Sequence, residues 1–129
     1  MHSLLIFLAV AAAPSAVPPR YDLDCTGGRA WAVGGSSEKI AAHYRVDTVA
    51  GRWCRDACDA IEPVVMADAG HVVLKQQEVG PTSRDKVSET VDLSSGRWLD
   101  LFEGEYPPGD YWRTEGICKL MPFTPLPAS

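Results

Sequence analysis

Two similar stretches of this sequence, residues 46–53 (VDTVAGRW) and residues 91–98 (VDLSSGRW), decide the fold. In each stretch an Asp is followed by four residues that end in Gly, and then by Arg and Trp. A hairpin with a four-residue loop explains this order, because it places Asp opposite Arg and Val opposite Trp. The Asp carboxylate would then accept backbone N–H groups inside the turn, and the Gly would take the positive φ that closes it.

The four-residue register also predicts what the two hairpins bury. In each of them the Val and the Trp would pack together on the buried face, while the oppositely charged Asp and Arg meet at the mouth of the loop. The residues that precede the two stretches differ, so we interpret the similarity as one turn pattern used twice. It is not a functional site.

The rest of the chain alternates between apolar and polar residues in short stretches punctuated by Gly and Pro, which is typical of strands. Residues 21–25 form one such stretch, and residues 29–33 form a second one between two glycine turns. No stretch has a long helical period. We therefore predict an all-β protein over residues 20–121, a small antiparallel meander closed as a barrel or sandwich and linked by disulfides.

The first 15 residues predict a signal peptide. An apolar run from Leu4 to Ala13 is followed by small residues, and it is shorter than the ~20 residues of a membrane span. Cleavage is expected after Ser15 or after Ala16. A buried N-terminal helix or strand is the alternative, but no polar face interrupts the run. The mature protein is therefore predicted to be periplasmic or secreted, with no integral membrane span.

The composition excludes some classes of partner. The chain has 129 residues, and 12 Lys and Arg against 17 Asp and Glu give a formal net charge of −5 at pH 7. This acidic balance lacks the basic surface that nucleic acid and anionic lipid require. His43 and His71 fit no metal-ligand spacing, and we predict neither a metal nor a cofactor. Residues 122–129 carry three prolines and no periodicity, which predicts a flexible tail that is extended or disordered.

The four cysteines fit an exported protein. In an oxidising compartment an even number of cysteines in a small domain predicts disulfides, here two. A zinc site is disfavoured because only Cys54 and Cys58 are close in sequence. If the first and last strands are neighbours, Cys25 pairs with Cys118 across them and Cys54–Cys58 closes a local loop. The two other connectivities remain open at this stage.

One pair of acids gives a catalytic hypothesis. Extending the register of the second hairpin places Glu89 opposite Asp100, in phase with the apolar Val91 and Trp98. Two facing carboxyl groups with partial burial raise one pKa, as in the acid–base pairs of hydrolases. The competing interpretation, which we favour, is a bulge or a solvated barrel mouth where neither acid has a catalytic role.

A second set of residues suggests binding. The loop over residues 103–112 displays Tyr106, Tyr111 and Trp112 around a stiff Pro-Pro-Gly turn. Rigid aromatic side chains on a shaped loop are typical of binding surfaces. Alternatively, Trp112 enters the core and the tyrosines cover its rim.

Three stretches, YDLDCTGG (21–28), RVDTVAGRWC (45–54) and EGICKLMPF (115–123), carry a resemblance. With them the chain resembles a family of small exported bacterial β-rich proteins of unknown function. The resemblance implies a β-rich exported domain and no catalytic residue. Size, export and disulfides are also similar to those of periplasmic barrel inhibitors of lysozyme or metalloprotease, whose inhibitory motifs we do not find.

These observations lead to one main functional expectation. We expect an exported binding or structural envelope protein whose partner is a protein, a glycan or a small ligand. A small hydrolase that uses Glu89 and Asp100 is the alternative.

Overall fold

Nine β-strands of the described residues form one antiparallel sheet, which is curled into a half-barrel. The computed structural model describes residues 17–31, 37–77, 86–104 and 110–128. The strands are β1 Arg20–Trp31, β2 Ser37–Asp47, β3 Arg52–Arg55, β4 Glu62–Pro63, β5 Met66–Ala67, β6 His71–Gln77, β7 Lys86–Asp92, β8 Arg97–Gly104 and β9 Asp110–Met121. The predicted all-β antiparallel architecture is confirmed. Within these ranges, no helix is long and apolar enough to cross a membrane.

The strand order is that of a meander whose two ends have been joined. Across the sheet the order is β4-β3-β2-β1-β9-β8-β7-β6-β5, so every neighbouring pair except β1 and β9 is consecutive in sequence. The first and last strands therefore lie side by side at the centre of the sheet, as predicted. The two edges, β4 and β5, are separated in the chain only by Val64 and Val65.

Both predicted disulfides are present. Cys25 and Cys118 are register partners on β1 and β9, with their Cα atoms 3.9 Å apart. Cys54 and Cys58 close a short loop after β3, and the loop bends through positive φ angles of 51° at Asp56 and 56° at Cys58. The first bond joins the two strands at the centre of the sheet, and the second stiffens a loop near one edge.

The two similar hairpins adopt the predicted four-residue register. Asp47 lies opposite Arg52. In each hairpin the Val and the Trp are register partners, and both side chains are buried. The Oδ1 atom of Asp47 accepts the backbone N–H groups of Val49 at 3.0 Å and Ala50 at 2.9 Å. Asp92 accepts the two equivalent groups of the second loop at 2.9 and 3.1 Å. The turn chemistry inferred from the sequence is therefore confirmed.

The glycine of each loop has the expected positive φ, 70° at Gly51 and 79° at Gly96. The predicted ion pair at the mouth of each hairpin is wrong. In the first hairpin the carboxylate of Asp47 contacts Arg20 Nε at 3.2 Å, and in the second Arg97 Nη2 lies 3.6 Å from Glu115 Oε1. Asp47 has register partners on both sides, Arg20 on β1 and Arg52 on β3. Both arginines are adjacent to this carboxylate in the sheet, and the ion pair forms with Arg20 of β1.

The prediction of a separate strand at residues 29–33 is wrong. β1 runs without interruption through Gly27 and Gly28. Gly27 lies opposite Gly116 of β9, and a Cβ atom on either glycine would overlap the backbone of the other strand. Gly27 and Gly116 are needed because β1 and β9 approach each other closely at this point, and not because the chain turns.

The core lies on the inward face of the curled sheet, towards the end that holds the two similar turns. Its fully buried members share the inward phase of their strands and are Tyr21, Leu23, Tyr44, Val46, Trp53, Val72, Leu74, Val91 and Trp98. Burial of each large apolar side chain contributes roughly 1.5–3 kcal/mol. This apolar half of the interior supports the polar residues described next.

Candidate functional site

A row of polar residues crosses the inward face of the sheet. The register pairs connect five adjacent strands at one level, through Arg29, Thr114, Asp100, Glu89 and Lys75. Paired positions on neighbouring strands direct their side chains to the same face, so these five residues form one polar row. Lys75 follows the inward-facing Leu74 across an irregularity in β6, and its Nζ lies 5.6 Å from the centroid of the Trp53 ring. Thr114, Glu89 and Asp100 are 0%, 1% and 3% exposed, which places the centre of the row in the interior.

Glu89 obtains its partner from the facing wall of the half-barrel. The hydroxyl of Tyr44, on β2, donates a hydrogen bond to Glu89 Oε1. Burial, together with the negative charge of Glu89, raises the pKa of Tyr44 well above its ordinary value. The phenol therefore stays protonated and acts as a permanent donor to the carboxyl group.

Asp100 lies directly opposite Glu89, as the register predicted. Its Oδ2 atom is 3.5 Å from Arg29 Nη2 and 4.0 Å from Arg55 Nη1. Burial raises the pKa of Asp100 to about 6, the charge of Glu89 acts in the same direction, and the cations Arg29, Arg55 and Lys75 oppose both. Asp100 is therefore ionised at neutral pH and protonated in mild acid.

The structure thus brings together the two acids of the catalytic hypothesis. The favoured interpretation, a bulge or a solvated barrel mouth, is wrong, because the two acids are register partners and both are buried. They are, however, surrounded by protein partners. Glu89 is held by a tyrosine, and Asp100 lies between two guanidinium groups. A buried charged group that is compensated in this way stabilises a defined arrangement of the interior. A carboxyl pair used in hydrolysis must in addition reach water and a substrate, and these two are 1% and 3% exposed.

One level further towards the end of the sheet, three aromatic side chains form a second row. Trp31, Trp112 and Phe102 are register partners on β1, β9 and β8, and all three are half-buried. The rings of Phe102 and Trp112 are stacked, 5.7 Å apart with 20° between their planes. Trp31 is tilted at 59° to Trp112 at 6.2 Å. We call these three residues the aromatic row.

Arg29 connects the polar row to the aromatic row. Its Cζ atom lies 3.9 Å from the centroid of the Trp112 ring, and its Nε donates to Thr114 Oγ1 at 2.9 Å. Together with the contact to Asp100, three interactions therefore restrain the guanidinium group of Arg29. Cation–π stacking is worth ~0.5–2 kcal/mol, the larger value when water is excluded, so the Trp112 ring is held in a fixed orientation.

The predicted binding residues do not form one surface. Trp112 belongs to the inward-facing aromatic row, whereas the adjacent Tyr111 is 47% exposed on the other face of β9. Tyr106 lies outside the described residues. Trp112 is neither a core residue nor freely exposed, so each of the two alternatives posed for it describes only part of its surroundings.

Sequence reasoning missed Arg29 and Trp31, although a signal for them was present. If Cys25 pairs with Cys118 on antiparallel strands, counting six residues along each strand brings Trp31 opposite Trp112. The assignment of a turn at the two preceding glycines prevented that count. Phe102 could have been found in the same way from the second hairpin.

The described part of the chain contains no group of three or more His, Cys, Asp or Glu side chains that could hold a metal ion. Comparison of the chain with models of protein families, with curated proteins and with solved structures found no match.

Proposed function

We propose that this chain is an exported binding protein and that the aromatic row, together with Arg29, is its ligand site. The observation that carries the proposal is the orientation of Trp112. Its ring is half-buried, stacked on Phe102 on one side and fixed by Arg29. Aromatic rings that are already ordered lose little conformational entropy on binding, so they contribute efficiently to affinity.

The chemistry of the row favours a ligand that carries a flat or ring-shaped apolar face. Such a ligand, a glycan or a small aromatic molecule, would pack against the indole rings at the end of the sheet. The polar row beneath supports this site, because Thr114 and Asp100 hold the guanidinium of Arg29 in place. In this view Glu89 and Asp100 position other residues and do not react.

We also propose that residues 1–15 direct export to the periplasm or the exterior, and that the chain is a member of the exported β-rich family it resembles. The two disulfides support an oxidising compartment. Closure of the half-barrel into a full barrel belongs to the same proposal. The indole N–H of Trp53 donates to Pro63 O at 3.0 Å and to Leu74 O at 3.1 Å, and these acceptors lie on β4 and β6, at opposite sides of the seam.

A titration of the disulfide-intact mature chain tests the binding site. Soluble fragments of envelope glycans and a set of aromatic compounds would be screened by NMR, with the indole N–H signals of Trp31 and Trp112 as reporters. We expect a ligand that shifts both signals and whose affinity falls at least tenfold in Trp112→Ala. Tyr111→Ala is the matched control, since it removes an aromatic ring from the adjacent position on the opposite face.

Two results would count against the proposed site. One is a screen in which no compound moves either indole signal. The other is a ligand whose affinity falls as much in Tyr111→Ala as in Trp112→Ala, since that ligand would bind the outward face. Both variants would be compared by circular dichroism first, so that loss of folding is not read as loss of binding.

Hydrolysis by Glu89 and Asp100 is a second candidate, favoured by one observation. The pKa of Asp100, raised to about 6, lies where a general acid works in mildly acidic conditions. If a glycan that binds is also cleaved, Asp100→Asn should abolish cleavage, while its affinity should fall less than in Trp112→Ala because only the contact with Arg29 is altered. Cleavage that survives this substitution would exclude the acid pair.

A further inference from the structure

A second cluster of charged residues lies on the outward face of β1 and β2, on the side of the sheet opposite the polar row. Asp22 and Asp24 alternate along β1 with inward-facing apolar residues, and His43 is the register partner of Asp24 on β2. An outward carboxylate would normally be solvated, yet Asp22 is only 2% exposed. Some part of the chain must therefore cover it.

The C-terminal segment, residues 122–128, provides this cover. The backbone N–H of Thr124 donates to Asp22 Oδ1 at 2.9 Å, and its hydroxyl donates to Asp22 Oδ2 at 2.6 Å. Arg45 Nη1 donates to the carbonyl oxygen of Pro125 at 3.0 Å. The segment was predicted to be a flexible end, extended or disordered. In the structure three hydrogen bonds hold it against β1 and β2.

His43 bridges the two acids with both of its ring nitrogens. Nε2 is 2.7 Å from Asp22 Oδ2, and Nδ1 is 3.0 Å from Asp24 Oδ1. A neutral imidazole has one N–H group, whereas ionised carboxylates only accept hydrogen bonds, so satisfying both contacts requires the imidazolium ion. Consistently, the hydrogen bonds to Asp24 and Asp22 raise the pKa of His43 above 6.5.

The other charged groups near His43 are of both signs. Asp56, from the loop after β3, accepts the backbone N–H of His43 at 2.9 Å. A cavity of about 360 Å³ beside His43 is lined by Asp56 and by Lys119 of β9. The imidazole itself contacts the carboxylates of Asp22 and Asp24. The neighbouring cations are Lys119 on β9 and Arg45 on β2, and neither contacts the ring.

We propose that Asp22, His43 and Arg45 form a docking site for the chain's own C-terminal segment, and that protonation of His43 closes this site. Docking removes the Asp22 carboxylate from water, which is unfavourable unless a cation compensates it. The imidazolium is that cation. Arg45, the register partner of Asp22 on β2, donates to Pro125 O instead. When His43 loses its proton, the buried carboxylate therefore loses the cation that contacts it, and a ring lone pair faces one of the two acids.

The direction of the pH effect follows from linkage. A histidine whose pKa is raised in the docked state favours docking at low pH, and this contribution is lost as the pH rises through that pKa. Reciprocity requires that docking of the segment also favours protonation of His43. The segment is therefore docked in acid and released more readily in alkali.

NMR of the full-length mature chain tests this coupling with two readouts. The first is the hydrogen-exchange protection of the Thr124 amide, which donates directly to Asp22. We expect the protection factor to fall about fivefold or more as the pH rises through the titration of His43. In His43→Leu the protection should be low at every pH.

The second readout is the titration of the His43 ring in Thr124→Pro. This substitution removes the two hydrogen bonds that Thr124 donates to Asp22 and leaves the core untouched, so the segment undocks and the midpoint of the His43 titration should move to lower pH. His71→Leu is the matched control, because His71 also lies between two acids, 3.7 Å from Asp68 and from Asp92. It should leave Thr124 protection unchanged.

The proposal is overturned by either of two results. One is a Thr124 protection factor that stays constant through the His43 titration. The other is a His43 midpoint that is the same in Thr124→Pro as in the parent chain. The aromatic row takes no part in these contacts, so neither result bears on the binding site proposed there.

Discussion

The buried acid pair gives a stability prediction whose size can be worked out from the structure. Asp100 is 3% exposed, and burial raises its pKa from 3.8 to about 6. A carboxyl group with a raised pKa binds its proton more tightly in the folded than in the unfolded state. Stability therefore falls as the pH rises from about 4 to about 6, and at about 1.4 kcal/mol per pKa unit the loss is roughly 3 kcal/mol.

Asp100→Asn removes this loss, because asparagine has nearly the same shape and does not ionise. We expect the free energy of unfolding of the variant, relative to that of the parent, to rise by roughly 3 kcal/mol between pH 4 and pH 7. Urea denaturation of the disulfide-intact chain, followed by tryptophan fluorescence at constant ionic strength, measures this difference at each pH.

Asp92→Asn serves as the control for that experiment. Asp92 is in the exposed turn of the second hairpin, where hydrogen bonds from Ser94 and Ser95 lower its pKa to about 2. Its stabilising contribution is complete above pH 4 and is lost only as the pH falls towards 2, so the difference for this variant should be constant from pH 5 to pH 7. A constant or falling difference for Asp100→Asn over pH 4–7 would refute our account of the buried pair.

Three further substitutions test the turns and the polar row. Ala at Gly51 should cost about 1 kcal/mol for its positive φ alone, since nothing lies within 4 Å of the added Cβ. Ala at Gly96 should cost clearly more in thermal unfolding, because its Cβ would also lie 2.6 Å from the carbonyl oxygen of Cys118; equal losses would contradict the close packing of that turn. Tyr44→Phe removes the donor to the buried Glu89 and should lower the free energy of unfolding at pH 7 by about 1–3 kcal/mol. A neutral result in urea denaturation would mean that Glu89 is satisfied in another way.

Local turn chemistry made part of this molecule predictable. The Asp47 loop contains its own acceptor, donors and glycine, so its register could be deduced without knowledge of the rest of the chain. Counting outward from the second hairpin then gave Glu89 opposite Asp100. Such inferences succeed because one residue of error in the register would move every side chain to the other face of the sheet.

The parts that could not be predicted depend on partners far away in the sequence. Glycine is common in turns, which is how Gly27 was interpreted. Its role in the close packing of β1 against β9 follows only once Gly116 is known to lie opposite it. Asp22 fits an exposed position in an alternating strand, and its burial depends on Thr124 at the other end of the chain. In both cases the environment of the residue is set by tertiary contacts that the local pattern does not contain.

The position of the Cys25–Cys118 bond determines how the protein responds to proteolytic cleavage. The bond joins two residues separated by 93 positions, so nearly the whole domain forms one covalent ring. A single proteolytic cut anywhere between those cysteines opens the ring but releases no fragment. The nicked molecule keeps all its strands tethered, and it can return to the native arrangement as a unimolecular process.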